Sequence, residues 1–333
     1  MGIEDRIRVL LGQKIEAPRA LCFDSVYHEQ FEISGLRKAA EVLDDIQRRN
    51  DIDLSKCAYF SIGGSTGSEI YHVLNNSSIN CGVLLEYSPD AMELAHARRS
   101  SLSASGKDLV LITGDATQQL GRCKDQLLSW HDAGRIGGVI VSAQAVLHEL
   151  PTRSPGFDLG HFIGEVCWQW DPFLFFSREP CSPVDWPEEV EIHVPGICST
   201  ILEALATEIQ SVLRITGVVR RSGPEWVSMS RDLAVETVTK VFYLEDYQHE
   251  IQERVTSLDP NKLRTLLENL LGENSTTMVR KASESFVQRY RELGIQARKR
   301  LTGEKLFIPE TFARVTAERV TVRNRKAGNL EML

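Results

Sequence analysis

The sequence has no apolar run approaching the roughly 20 residues that cross a bilayer. Its first residues, MGIEDRIRVLLGQK, lack the cleavage pattern of a signal peptide. These absences predict a soluble, cytoplasmic chain without a membrane partner. Seven cysteines, Cys22, Cys57, Cys81, Cys123, Cys167, Cys181 and Cys198, are odd in number, scattered and without a C-x-x-C pair. They point away from a disulfide framework and a zinc site, and no metal ligands are predicted. Internal repeats and low-complexity segments are missing too. Basic charge is scarce: 38 Lys and Arg stand against 46 Asp and Glu, a net charge of -8. Whole-surface attraction to polyanions is disfavoured, which leaves room only for a local basic patch. What is present is ordinary globular usage, with 42% hydrophobic and 25% charged residues. Disorder, collagen-like repeats and coiled coil are excluded by it, and 333 residues exceed one typical domain.

Apolar runs alternate with turn signals most clearly between positions 57 and 179. Cys57-Ala58-Tyr59-Phe60-Ser61-Ile62 reads as a buried strand, stopped by Gly63-Gly64-Ser65-Thr66-Gly67 and followed by a helix from Ser68 to Leu74. Cys81 to Tyr87 is a second strand, after which Ser88-Pro89-Asp90 caps a helix over Ala91 to Arg99. Further strands are predicted at Leu109 to Thr113, Gly138 to Ser142 and Phe173 to Ser177. Strands buried on both faces and separated by helices predict an α/β fold with a doubly wound, mostly parallel sheet. Residues 1–55 read as helical, with Leu36, Ala39, Ala40, Leu43 and Ile46 at amphipathic spacing, packed over one edge of the sheet as a lid. Val235 to Tyr243 and Phe312 to Arg323 are expected to form a final antiparallel pair. Between them, Asp246 to Arg300 reads as mostly helical with a break at Asp259-Pro260.

In an open parallel sheet, ligands bind at the carboxyl ends of the strands. The glycine-rich turn 63–67 lets backbone approach a ligand and aims helix N-terminal amides at a negative group. Glu86 ends the second strand, where a carboxylate can accept both hydroxyls of a ribose, and Asp115 ends the third, where it can hold an exocyclic amine. Taken singly, a glycine turn is about as often mere chain reversal, and an acidic residue after a strand is usually a helix cap. Their occurrence in order points to a nucleotide-like ligand. The loop is neither G-x-G-x-x-G nor G-x-x-x-x-G-K-[ST], which weakens dinucleotide and triphosphate binding.

Ser61-Ile62-Gly63-Gly64-Ser65-Thr66-Gly67, then Glu86, Gly114-Asp115-Ala116 and the Ser142-Ala143 exit resemble the successive motifs of class I S-adenosylmethionine-dependent methyltransferases. The resemblance covers residues 55–180 and extends to the terminal strand. It implies a Rossmann-like fold with S-adenosyl-L-methionine as cofactor. Gly63, Gly64 and Gly67 would hold the methionine portion, Glu86 the ribose, and Asp115 with Ala116 the adenine, with Tyr87 over an adenine face, and Ser61, Ser65, Thr66, Ser142 and Ala143 complete the expected cofactor-binding residues. Ser61 stands where an acidic residue commonly opens the first motif, and Ser65 where the middle glycine commonly stands. The implied organisation is a helical lid over 1–55, a cofactor-binding core over 56–243, a helical insertion over 244–311 and a terminal strand over 312–333 that completes the sheet.

Methyl transfer from a sulfonium is an in-line displacement, so the protein mainly positions a nucleophile and accepts its proton. The loop after the fourth strand, Ser142-Ala143-Gln144-Ala145-Val146-Leu147-His148-Glu149, usually faces the transferable methyl in that family. It is not the Asn/Asp-Pro-Pro-aromatic tetrad of enzymes that methylate base amines. His148 is the candidate general base, oriented by Glu149 or a neighbour, against the alternative of a histidine packed on the sheet. Gln144, Arg178 with its neighbour Glu179, and Tyr27 and His28 on the lid are the candidate substrate contacts. The resemblance implies a methyltransferase for a small or medium-sized acceptor. An RNA methyltransferase remains open through Arg280 to Lys326, where 13 basic residues meet 5 acidic ones. So do a nicotinamide-dependent oxidoreductase, against which the loop spelling speaks, and a non-catalytic cofactor-binding or regulatory protein.

Overall fold

The computed structural model describes residues 2–11, 13, 25–154, 156–167, 170–182, 186–244, 247–273, 275–281, 291–306 and 312–320. Two helices, α1 (Ile3–Leu10) and α2 (Ser25–Gln47), precede β1 (Cys57–Ile62), all six residues of which are buried. A strand covered on both faces has to be apolar throughout, and CAYFSI is nearly so. There follow α3 (Ser68–Asn75), β2 (Cys81–Glu86), α4 (Pro89–Ala104), β3 (Asp108–Thr113), α5 (Ala116–Asp132) and β4 (Gly138–Gln144). Ser88 caps α4 through Ala91 N at 3.3 Å, with Pro89 in the first turn, and Asp115 caps α5 through Thr117 N at 2.7 Å. Next come α6 (Leu150–Arg153), α7 (Leu159–Cys167), β5 (Phe173–Pro180), β6 (Glu189–His193) and α8 (Ser199–Leu213). The chain continues through β7 (Val219–Arg221), β8 (Val227–Ser230), α9 (Arg231–Phe242), α10 (Tyr247–Glu250) and α11 (Pro260–Leu271). Last come β9 (Ser275–Lys281), β10 (Gln296–Lys299), β11 (Lys305–Leu306) and β12 (Phe312–Arg319).

Among the described residues, seven strands form one sheet in the order β3-β2-β1-β4-β5-β12-β9. The first five run parallel, and β1 lies between β2 and β4. The strand order therefore reverses between β1 and β4, where an open sheet of this kind has its crevice. The eight residues of β12 pair antiparallel with β5 on one side, Val315 opposite Ser177, and β12 pairs antiparallel with β9 on the other. One face of the sheet packs Phe60, Val83, Val141 and Phe175 against α5, α7 and α11. The other packs Tyr59, Leu84, Ile140 and Phe176 against α2, α3 and α4. This alternation along each strand is the two-residue period of the pleat.

The expected partner of the last strand is not a strand. Residues 231–242 form α9, and Ala234, Val238 and Val241 bury one helical stripe. The β-branched content of that stretch is overridden by an apolar spacing that only a helix can turn to one side. The partner of β12 is β9, so the stretch 246–300, expected to be mostly helical, holds α10 and α11 but also β9 and β10. The break read at Asp259-Pro260 is the start of α11: Asp259 accepts from Asn261 N at 2.8 Å and the proline occupies the first turn.

A second, all-antiparallel sheet was not predicted. Its order is β11-β10-β6-β8-β7. Val190, Ile192, Val227, Met229 and Ala297 pack from it against α8 and α9, and Ile7 of α1 joins the same core. Strands of two to five residues leave too little periodicity to read. The N-terminal segment lies across the structure differently from an edge lid. α1 belongs to the second core, and α2 packs over α3 on a face of the first sheet through Ala39, Val42 and Ile46. Leu36 and Ala40, expected on the apolar stripe, are exposed.

Candidate functional site

The loop between β1 and α3 is placed by its glycines. Gly63 adopts φ +63°, and a Cβ there would lie 2.5 Å from Val146 Cγ2 in the loop after β4. The two loops that flank the reversal of strand order therefore touch at a point where only glycine fits. Gly63→Ala is expected to destabilise the fold by about 2 kcal/mol or more, from left-handed backbone plus overpacking. A urea transition with an unchanged slope and a lowered midpoint would show it. Ser65 (φ 51°) and Ala145 (φ 58°) are non-glycine residues in the same left-handed region, one in each loop. Backbone held in such conformations tends to gather at functional sites.

Glu86, half-buried at the end of β2, reaches this loop. Its Oε2 accepts from Ser65 N at 2.8 Å and its Oε1 from Ser88 N at 2.8 Å. One carboxylate thus ties the glycine-rich turn to the exit of β2. Asp115 is turned toward its own helix: Oδ1 accepts from Thr117 N, and Oδ2 accepts from Ser154 Oγ at 3.0 Å. Burial raises its proton affinity, but the bonds from Thr117 and Ser154 outweigh that and lower its pKa. Ala116 opens α5 against the core, and Tyr87 is exposed beside Glu86. Two hydroxyls, Ser61 Oγ near the end of β1 and Ser65 Oγ in the loop after it, are buried without a hydrogen-bond partner. Such atoms cost free energy unless something else meets them.

Thr66 and the first turn of α3 are held from above by α2. Thr66 Oγ1 donates to Glu32 Oε1 at 2.9 Å, and Arg98 bridges Glu32 and the Thr66 carbonyl. Lys38 Nζ donates to the Gln144 carbonyl at 2.9 Å, so the same helix also touches the end of β4. Tyr27 and His28 belong to α2, but their side chains lie outside the described residues.

At the exit of β4, Ser142 and Gln144 point to the α2 side and Ala143 to the opposite core. Gln144 Nε2 donates to Ser142 Oγ at 3.0 Å and to Glu69 Oε1 at 3.3 Å, and Tyr59 OH donates to Glu69 at 2.5 Å. This buried polar cluster was not read from the sequence, since Tyr59 and Glu69 look like ordinary strand and helix residues. Arg178 and Glu179 are successive on β5 and face opposite sides. Arg178 is buried near Glu41, Arg37 and Arg314, and burial lowers its pKa.

Glu179, rather than Glu149, orients His148. His148 Nδ1–H donates to Glu179 Oε2 at 2.7 Å, and both side chains are almost fully buried. Glu179 Oε1 also accepts from Val146 N and Leu147 N, each at 3.2 Å. Burial opposes the imidazolium, but the bond and charge of Glu179, with Glu149 and Glu253 nearby, push the His148 pKa up to about 9.

The basic stretch 280–326 is partly paired. Arg298 meets Glu191 at 2.5 Å, Arg300 meets Glu189 at 2.6 Å, Lys299 meets Glu304 at 2.7 Å and Arg314 meets Asp45 at 2.5 Å. Residues 282–290, 307–311 and 321–326 of that stretch lie outside the described residues. Among the described residues no helix is long and apolar enough to cross a membrane.

No family model and no curated protein matches the chain. Solved structures do. The chain is similar to a SAM-dependent methyltransferase from Archaeoglobus fulgidus, 11% identical over 88% of this chain and 98% of that one, with a TM-score of 0.44. It is also similar to the plantazolicin methyltransferase BamL, solved with a triazolic desmethylPZN analogue and SAH, at 10% identity, 89% and 90% coverage and a TM-score of 0.42. Against the mitomycin 7-O-methyltransferase MmcR the values are 13%, 89% of this chain, 58% of that one and 0.39. The chain thus spans a little over half the length of that structure. The fold itself is α/β, with a mostly parallel seven-stranded sheet.

Proposed function

We propose that this chain is an S-adenosylmethionine-dependent methyltransferase for a small or medium-sized acceptor. The observation that carries the reading is the single carboxylate of Glu86, bonded to Ser65 N of the glycine-rich loop beside the reversal of strand order. The residues present fit the cofactor. Gly63 and Gly67 hold the loop in a left-handed turn that packs closely on Val146, Ala95 and Leu84, and the orphaned hydroxyls of Ser61 and Ser65 are suited to the polar end of a methionine moiety. Glu86 would accept ribose hydroxyls while it holds the loop. Asp115 spends Oδ1 on its own helix start, so a contact to an adenine amine falls to Oδ2, beside Ser154.

When bound, the cofactor supplies an electrophilic methyl on a sulfonium, so the chain need only position a nucleophile and keep water away. Ser142, Ala143, Val146, Leu147 and His148 are all buried at and after the exit of β4, where little water reaches. Gln144 is engaged inward with Ser142 and Glu69, so its part in acceptor binding is to shape that exit. Glu179 holds the loop 146–148 in place through its amide contacts.

Calorimetric titration of the full chain with S-adenosylhomocysteine tests the cofactor. One equivalent is expected to bind in the micromolar range, about -8 kcal/mol. Transfer of labelled methyl from S-adenosylmethionine to the small-molecule fraction of a cell extract tests the acceptor class. Absence of S-adenosylhomocysteine binding would remove the reading, and label found only in RNA would replace the acceptor class.

A further inference from the structure

The sequence reading assigned no metal ligands, but the fold brings three together. His148, Glu149 and Glu253 each place one potential ligand atom within 4.8 Å of the others. Among the described residues they are the group of three His, Cys, Asp or Glu side chains that does so. We propose that His148, Glu149 and Glu253 form a site for one divalent first-row transition-metal ion, bound through His148 Nε2 and one oxygen of each carboxylate.

The ring has one nitrogen already spent. Nδ1–H donates to the buried Glu179 carboxylate at 2.7 Å, and that carboxylate is itself held by the amides of Val146 and Leu147. Nε2 is therefore the ligand atom, and its direction is set from behind. A metal-binding histidine usually donates its other ring nitrogen to a carboxylate in this manner, which fixes the tautomer and raises ligand basicity.

The third ligand is also held in advance. Glu253 lies in the turn after α10, where Lys240 Nζ donates to its carbonyl at 2.7 Å. Glu236 accepts from Val255 N and Thr256 N two and three residues on. Ser257 Oγ donates to the His148 carbonyl at 3.2 Å, which joins this turn to the loop after β4. A site whose ligands come from separate stretches needs such support to keep its geometry.

The charge and donor types choose the ion. His148, Glu253 and Glu179 are each less than a tenth exposed, and Glu149 is half-buried. Two carboxylates and one imidazole where little water reaches favour a divalent cation. One imidazole nitrogen and two carboxylate oxygens, with no thiolate, suit Zn²⁺ or Mn²⁺ better than the all-oxygen preference of Mg²⁺ or Ca²⁺. Three protein ligands leave at least one position for water, as in open zinc sites.

The test uses the full chain stripped by a chelator and dialysed, with S-adenosylhomocysteine absent throughout. Its outcome is therefore separate from that of the methyltransferase reading. Titration with Zn²⁺ by calorimetry is expected to give one ion per chain and a raised melting temperature. Co²⁺ should give a visible spectrum without the charge-transfer band of thiolate ligation. Glu253→Gln and Glu149→Gln should each weaken Zn²⁺ binding by about a hundredfold, and Glu179→Gln, a positioning change, by about tenfold. Should Glu253→Gln fail to fold, the partly exposed Glu149→Gln carries the same expectation. A wild-type chain that binds no ion, a thiolate band with Co²⁺, or affinity unchanged in the folded ligand variants would overturn the proposal.

Discussion

Glu86→Ala is expected to weaken S-adenosylhomocysteine binding by about a hundredfold, or about 2.7 kcal/mol. The side chain is charged and accepts two backbone amides, Ser65 N and Ser88 N, both at 2.8 Å. Hydrogen bonds to a charged group contribute about 1.5–3 kcal/mol each, and half-burial at this site places them toward the lower end. Removing the carboxylate takes away the ribose contact in the proposed reading and also frees Ser65, whose left-handed backbone is held from there. Glu86→Gln keeps one acceptor oxygen and should fall between the two. His148→Ala, on the acceptor side, should change the same affinity by less than about tenfold. Calorimetry on the three variants decides the matter, and equal losses in Glu86→Ala and His148→Ala would contradict the assignment of Glu86 to the cofactor.

Lys240→Met is expected to lower stability by about 3–5 kcal/mol, measured by urea denaturation at constant pH. Lys240 and Glu236 are both fully buried on α9, 3.4 Å apart. Loss of the lysine would leave the fully buried Glu236 carboxylate without this ion-pair partner. The carboxylate also accepts from Val255 N, Thr256 N and Thr256 Oγ1, so neutralising it by truncation would strand the turn that carries Glu253. The double change Lys240→Met with Glu236→Gln should recover part of the loss, because a carboxamide is neutral and its oxygen still accepts from Thr256 N and Thr256 Oγ1, while its NH2 replaces the oxygen that meets Val255 N. A single-variant cost below about 1 kcal/mol would mean that the pair is not desolvated as it is here.

The loops of the proposed cofactor site were legible because their signals are local. Strands covered on both faces are written as apolar runs, the glycine turn follows one of them, and Glu86 ends the next. The caps were legible for the same reason: Ser88 with Pro89, and Asp115, satisfy amides two or three residues ahead. Asp115, expected to face an adenine, thus spends one oxygen on the start of its own helix. His148 was found from its place after the fourth strand, while its orienting partner was sought in the neighbouring Glu149. The partner is Glu179, which strand pairing between β4 and β5 brings beside that loop.

By itself, then, the amino-acid sequence determined the parallel half of the main sheet, its helix starts and the loop chemistry at its carboxyl edge, because each depends on residues a few positions apart. Only the tertiary structure decided that residues 231–242 are a helix, that short strands from 189–306 assemble a second sheet, and that Glu253 meets His148. Those outcomes depend on which apolar faces find one another and on which buried charges must be met. Partners far apart in the chain leave no period in the sequence between them.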